Sequence, residues 1–462
     1  MKKRCNMNIM SMNSIIIFVF AVICAGLVEG TCPSTCSCVD DSSGSTINCN
    51  SKYLGRIPTL PKDTYNLDLR YNNITEIDVQ LCKKMPQLHT IYISHNLIIK
   101  IPEITFADCE ELYNIDLQYN KIRSIESNTF VNMTNLYRLY LYNNNISTIK
   151  AFTFMNLPSL RYLYLYKNKI RSLVSYMFIN LTNLDQLHIA DNEISTIEPF
   201  SFMGLHSLQY LYLYNNKIRS LQRNTFINMT NLYQLQLQNN AISTIEAFTF
   251  MNLPSLYYLQ LHQNEISTIE PFTFVDLPSL PFLYLHYNKI RSLESNTFIN
   301  MTNLYQLYLH GNNISHIEEH AFGKLTSLTL LELSGNPLNC DCSIFSFWSW
   351  LIERSSIGTT AKCSNGTLVT SLQSAALEAC HPDNCLQCFN GGKCVAMGYT
   401  LICECIGQWT GKLCQESQCT SYDCGFGDCY IEPVKGTAQC LCDDRYVNFC
   451  PGKWCTFYYK VM

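Results

Sequence analysis

Charge is scarce in this sequence: of 462 residues 15% are Asp, Glu, Lys or Arg, and the net charge is −4. That balance excludes a global field drawing the chain to nucleic acid or an acidic membrane. Catalytic signatures are missing too. No Gly-x-Ser-x-Gly, His-Glu-x-x-His or Gly-rich phosphate loop occurs, so neither an enzyme nor a cofactor is expected. Cysteine is nearly absent from the middle, where Cys82 and Cys109 stand alone between Cys49 and Cys340. Long apolar runs are missing after the N-terminus. The stretch from Ile15 to Val28, behind Lys2, Lys3 and Arg4, is short for a bilayer span and suits a secretory signal. Cleavage near Gly30 would start the mature chain at about Thr31, with an uncleaved anchor as the alternative. No later stretch approaches ~18 apolar residues, and the tail from Phe457 to Met462 lacks the features of a lipid-anchor signal. A soluble mature chain with no stable membrane span is expected.

Beyond the signal segment, nearly all of the 25 cysteines crowd into residues 32–49 and 340–455. Small segments without a core of their own are held this way in an oxidising compartment. Candidate glycosylation sequons stand at Asn73, Asn132, Asn145, Asn180, Asn228, Asn300, Asn313 and Asn365. A chain can use them only if it is secreted, so an extracellular protein is expected.

What is abundant is repetition. Asparagine recurs every 24 residues at Asn72, Asn96, Asn120, Asn144, Asn168, Asn192, Asn216, Asn240, Asn264, Asn288, Asn312 and Asn336. With Leu136 as position 1, apolar residues fall at Leu136, Leu139, Leu141, Ile146, Ile149, Phe154 and Leu157. The alternation around Tyr140 marks a short strand, and the rest spread so that one coil can point them all inward. One coil cannot enclose them, whereas stacked coils share a core with a phenylalanine column from Phe106 to Phe322. A buried asparagine at position 9 can bond backbone groups that the turn leaves unpaired. A finer period of about 48 alternates Lys-Ile-Arg-Ser with Ile-Ser-Thr-Ile, as tandem duplication of repeat pairs would.

The spacing L-x-x-L-x-L-x-x-N-x-I-x-x-I with a later Phe resembles the extracellular leucine-rich repeats over residues 64–336. The resemblance implies an α/β solenoid, a horseshoe with a concave parallel sheet and disulfide caps. It divides the chain into a signal peptide (1–30), an N-terminal cap (31–63), repeats (64–335), a C-terminal cap (336–380), an EGF-like module (381–414) and a divergent one (415–462). Four cysteines alone allow three pairings. The family pattern implies Cys32 with Cys38 and Cys36 with Cys49 in the first cap, and Cys340 with Cys363 and Cys342 with Cys380 in the second. For the modules it implies Cys385–Cys394, Cys388–Cys403 and Cys405–Cys414, then Cys419–Cys429, Cys424–Cys440 and Cys442–Cys450. Cys455 is left over, which suggests an intermolecular bridge, a divergent last module or a truncated chain. Zinc is the rival reading of such clusters and is disfavoured outside the cell. The acidic pair of a calcium-binding module is incomplete at Asp383 and Asn384, so no metal is expected. Cys82 and Cys109 take core positions 19 and 22 of adjacent repeats. A bridge between them is marginal at that offset, and two buried free thiols are the favoured reading.

Positions 5 and 7 point out of the sheet while the leucines point in. There the sequence offers Tyr140, Tyr142, Tyr164, Tyr166, His188, Tyr212 and Tyr214, with Tyr162 at position 3. Tyrosine gives large, rigid contact area with a polar tip, so this patch is the expected partner site, although high strand propensity copied by duplication would also place it there. His262, His286 and His310 share position 7 in successive repeats, about 5 Å apart at strand spacing, so their charged forms would repel. The Lys-Ile-Arg-Ser bases, Lys121, Arg123, Lys169, Arg171, Lys217, Arg219, Lys289 and Arg291, offer a thin stripe for a sulfated glycan or ordinary solvated charge.

From residue 31 to about 450 the pattern resembles extracellular repeat proteins such as Slit and vasorin, and the capped block also resembles jawless-vertebrate variable lymphocyte receptors. It implies recognition of an extracellular protein, such as a receptor ectodomain, on the concave face. The single repeat block and short tail depart from Slit and put a guidance role in doubt. The alternatives are a matrix component using the repeats as a spacer, or a glycan-binding protein.

Overall fold

The computed structural model describes residues 31–447 except 128, 131–132, 355, 374–376, 378–379, 381–387, 390–391, 398–399, 407–408, 418–427, 432–437 and 443–444. The signal segment, Asn132, Cys385, Cys419, Cys424, Cys450 and Cys455 thus lie outside the described residues. The chain forms two compact units: Met1–Ile266 with Phe272–Tyr284 and Asn300–Leu304, and Ser267–Pro271 with Leu285–Ile299 and Tyr305–Met462.

In the first unit the repeats after the first each contribute one three-residue strand, as in Arg138–Tyr140, Tyr162–Tyr164, Gln186–His188 and Tyr210–Tyr212. They pair parallel without a slip, Leu139 opposite Leu163, Leu187 opposite Leu163 and Leu211. Each central leucine is fully buried and its neighbours are half-buried, so a slip of one residue would turn every leucine outward. The strands stay short because position 8 steps into left-handed backbone, with φ between 50° and 55° at Tyr71, His95, Tyr119, Asn143, Lys167, Asp191, Asn215, Asn239 and Gln263. On the other side of the coil, two-residue strands join repeats in pairs, Ser124–Ile125 with Thr148–Ile149 and Ser172–Leu173 with Thr196–Ile197. These pairs follow the 48-residue alternation of the sequence.

Phenylalanine and asparagine run through this unit as two columns. Rings from Phe106 to Phe274 are at most 1% exposed, and neighbours such as Phe154 and Phe178 lie nearly parallel, 6.1 Å apart. The asparagines link coils through their side-chain amides. Asn168 Nδ2 donates to the carbonyls of Leu165, in its own coil, and Leu141, in the preceding one, both at 3.0 Å. Its Oδ1 accepts from Ile146 N at 3.0 Å. Backbone groups that the turn strands are satisfied in this way, which fixes asparagine, a donor and an acceptor in one short amide, at this position.

The N-terminal end is closed by an antiparallel hairpin, Ser37–Asp40 with Ser45–Asn48, whose second strand pairs parallel with Thr64–Asp68. Bridges Cys32–Cys38 and Cys36–Cys49 tie it, and Ile47 and Cys49 are fully buried. Cys82 and Cys109 are not free thiols. They form a disulfide with Cα atoms 5.1 Å apart, contrary to the favoured reading of the sequence. The reason is a local turn: Cys109 N donates to the Phe106 carbonyl at 3.1 Å, so positions 19 and 22 lie one turn apart on the same side. An offset of one repeat plus three residues is therefore close to one coil straight up, not a diagonal.

In the second unit Gln306–Tyr308 pairs parallel with Leu330–Glu332, and Ser292–Leu293 with His316–Ile317. A helix, Phe345–Ile352, closes it, burying Phe347 and Leu351 and stacking Trp350 on Phe322 at 5.0 Å. Bridges Cys340–Cys363 and Cys342–Cys380 hold this cap. Beyond it, the hairpin Lys393–Met397 with Thr400–Glu404 carries bridges Cys388–Cys403 and Cys405–Cys414. Cys394, Cys429 and Cys440 are disulfide-bonded as well, Cys429 and Cys440 on the antiparallel strands Asp428–Ile431 and Ala438–Cys442. Among the described residues no helix is long and apolar enough to cross a membrane.

Candidate functional site

Leu139 and Leu141 point inward, so Arg138, Tyr140 and Tyr142 must point out, and the same alternation in the next three coils gathers the tyrosines into one patch. Tyr142 stacks on Tyr166 at 4.3 Å and 11°, and Tyr166 on His188 at 4.4 Å. Tyr140 meets Tyr164 at 5.2 Å, and His188 meets Tyr212 at 4.9 Å and Tyr214 at 5.8 Å. Polar tips are tied into the cluster: the Tyr164 hydroxyl donates to Gln186 Oε1 at 2.8 Å, and His188 Nε2 lies 3.2 Å from the Tyr214 hydroxyl. Tyr162 sits at the border, where the Arg138 guanidinium lies 5.4 Å from its ring centre and 4.9 Å from that of Tyr137. The face is thus a half-buried aromatic plate whose rings lean on one another along the sheet.

Burial keeps this plate uncharged. It raises the hydroxyls of Tyr140, Tyr142, Tyr162, Tyr166, Tyr212 and Tyr214 above the ordinary tyrosine range, and that of Tyr164 to about 12. Burial also lowers His188 from 6.5 to about 4, so its imidazole is neutral near pH 7. The folded value lies below the unfolded one, so the unfolded chain takes up the proton first. The contribution of His188 to stability is at its full value above about pH 6.5, falls as pH drops towards about 4 and levels off below it. After discounting for partial exposure, His188 should account for roughly 1–3 kcal/mol of that acid loss. Urea titrations at pH 7.5 and 4.5 check this: His188→Gln should shrink the difference between the two, and an unchanged difference would assign it to other groups.

Of the three histidines read as a column, His286 and His310 stack in the second unit at 4.5 Å and 13°. His262 belongs to the first unit, where Tyr284 meets it edge-on at 6.2 Å. Among the described residues no group of three or more His, Cys, Asp or Glu is placed to hold a metal ion. The basic residues of the Lys-Ile-Arg-Ser repeats are exposed, and Arg171 pairs with Glu193 of the next coil at 3.2 Å.

Two further aromatic columns escaped the sequence reading. Tyr65, His89, Tyr113 and Tyr137, at position 2, stack at 4.7, 5.0 and 4.8 Å. Tyr71, His95 and Tyr119, at position 8, stack at 4.2 and 4.3 Å. Reading each repeat position down the coils would have found both. Asp116 occupies outward position 5, yet it is 4% exposed, accepts from Ser94 Oγ at 2.9 Å, and has its carboxyl raised by burial.

Comparison with known proteins places this architecture. A solved chain from the octameric complex of latrophilin 3, Unc5D and FLRT2 superposes with a TM-score of 0.56 at 24% identity, covering 74% of this chain and 98% of that one. A chain of the Drosophila Toll–Spatzle complex gives 0.58 at 21% identity, covering 68% and 48%. Among curated proteins, leucine-rich repeat-containing protein 3 of Danio rerio is 36% identical over 92 residues, 20% of this chain and 35% of that protein. Peroxidasin of Drosophila melanogaster is 32% identical over 73 residues, 16% of this chain and 4% of that protein. The match thus spans about a third of the length of the first relative and far less of the second. The model described as Leucine rich repeat matches residues 63–122, 110–170, 134–194, 167–218, 182–242, 230–290 and 283–338, more than half of the sequence. The chain belongs to the leucine-rich-repeat family.

Proposed function

We propose that this is a secreted recognition protein whose strand face, centred on Tyr142, Tyr164 and Tyr166, docks an extracellular protein such as a receptor ectodomain. One observation carries the reading: the tyrosines are already packed against each other, half-buried and neutral, so binding costs little side-chain ordering. Stacking also separates a protein partner from a saccharide. Ring faces are spent on neighbouring rings, leaving edges and hydroxyls outward, whereas a sugar needs a free face. The disulfides of both caps fit an oxidising, extracellular setting. Residues 381–414 and 415–462 belong to this proposal as EGF-like modules that extend the chain beyond its cap, in the Slit-like manner.

The test is affinity capture of a partner with the full secreted chain, followed by surface plasmon resonance. A Tyr140→Ala, Tyr164→Ala double variant should lose ~1–2 kcal/mol or more per residue, roughly 30-fold to 1000-fold in all. Asn180→Gln, away from the strands, should bind as the parent does. Unchanged affinity in a folded double variant would move the site. Loss of binding on deleting residues 381–462, with the tyrosines dispensable, would favour the matrix-spacer reading instead.

A further inference from the structure

Sequon asparagines recur at one register of the repeat. Asn180, Asn228 and Asn300 each take position 21, while the repeats between Asn228 and Asn300 carry Asn252 and Asp276 there, each followed two residues later by proline. These four positions in successive coils share one left-handed conformation, φ 64° at Asn228, 63° at Asn252, 60° at Asp276 and 61° at Asn300. Their side chains therefore leave the backbone alike. Together with Pro254 and Pro278 they line a groove of about 500 Å³ in the first unit. Both ends of the groove are exposed asparagines, and only those ends have a threonine two residues on, Thr230 and Thr302.

We infer that this groove seats the first sugars of N-linked glycans rooted at Asn228 and Asn300. In the attachment step Asn228 Nδ2 bonds to the anomeric carbon of an N-acetylglucosamine. The bond from that carbon to a lipid-linked pyrophosphate breaks, the amide nitrogen gives up one proton, and the lipid pyrophosphate leaves. The chemistry of the groove suits the sugars nearest each root. Proline rings offer apolar surface for the CH face of a pyranose, and the Asn252 amide and Asp276 carboxylate offer partners for its acetamido and hydroxyl groups. Neither Asn252 nor Asp276 can carry a glycan itself, so the middle of the groove stays open for sugars that start at its ends. No sequon falls on the outward strand positions 3, 5 or 7, so glycans in this row leave the tyrosine plate bare. The inference rests on secretion, because only a chain in the secretory pathway meets the lipid-linked donor.

The experiment uses the full chain secreted from animal cells. Glycopeptide mass spectrometry should find Asn228 and Asn300 occupied. Hydrogen exchange should be slower across residues 252–256 and 276–280 in the glycosylated chain than in a Thr230→Ala, Thr302→Ala variant, with Tm higher by about 2–4 °C. Trimming each glycan to its first N-acetylglucosamine should keep most of that protection. Unsubstituted chain made with glycosylation blocked must match the variant, which separates the sugar from the threonines. Occupancy at Asn180 or Asn365 with both groove sites bare would overturn the inference while leaving secretion intact. Occupied groove sites with exchange and Tm equal to the variant would overturn it too, placing the sugars in solvent and leaving the groove to a free saccharide or a partner loop. Absence of glycan at every sequon of the secreted chain would overturn the inference as well, whereas failure of the chain to reach the medium would remove the secreted reading on which both rest.

Discussion

Cys342→Ser is expected to destabilise the second unit by about 4 kcal/mol, the loop-closure value for a bridge across 38 residues, and to cut the yield of folded chain several-fold. The entropic part is only half the reason. This bridge holds the cap whose helix lays Phe347 and Trp350 over Phe322, the end of the phenylalanine column in that unit. A repeat stack has no other way to shield its last coil, and an end left open exposes leucine and phenylalanine together. Cys455→Ser should by contrast leave thermal stability nearly unchanged, since that residue is odd in number and remote in sequence from either cap. Differential scanning calorimetry of the two variants decides it. Equal effects would mean that the C-terminal cysteines act as one network and that residues 336–380 are not a cap in the physical sense.

How far the sequence alone could be read depends on how directly each feature follows from linear spacing. Strand positions, the phenylalanine column and the asparagine ladder repeat every 24 residues, so one coil predicts the rest, and the observed register agrees. Cys82–Cys109 failed because counting residues treats an offset of three as sideways displacement, while the turn at Phe106–Cys109 folds that offset back on itself. The stacked columns through His89 and His95 lie outside the alternating positions to which the strand pattern drew attention. Asp116 is harder still: its position reads as outward, and only neighbouring side chains such as Ser94 and Gln118 make it buried and hydrogen-bonded. Period and alternation fix which way a residue starts, but the neighbours in the next coil decide what covers it.

Asn168→Ala is expected to cost about 2–4 kcal/mol, although the side chain is small and carries no charge. Removing it takes one of two amide donors from the carbonyls of Leu141 and Leu165, which keep Asn144 and Asn192, and leaves the buried N–H of Ile146 without its acceptor. Each lost bond is worth ~1 kcal/mol and each orphaned buried group more than that. Asn168→Asp should be no milder near neutral pH. The carboxylate can still accept from Ile146 but faces two carbonyl oxygens where the amide donated, and burial should hold its carboxyl protonated up to higher pH than usual. The Asp variant should therefore gain stability relative to the Ala variant as pH falls, because a protonated carboxyl recovers one donor. Asn183→Ala is the control: the same residue type, exposed, with one bond to the Pro158 carbonyl at 2.8 Å, and expected to cost under about 1 kcal/mol. Urea titration followed by circular dichroism measures all three. Since coils in a stack support only their neighbours, a break at Asn168 should also loosen the coupling between the two halves of the first unit and broaden its unfolding. A cost at Asn168 no larger than at Asn183, with an equally sharp transition, would show that leucine and phenylalanine packing alone holds the coils in register and that the asparagines merely tolerate their place.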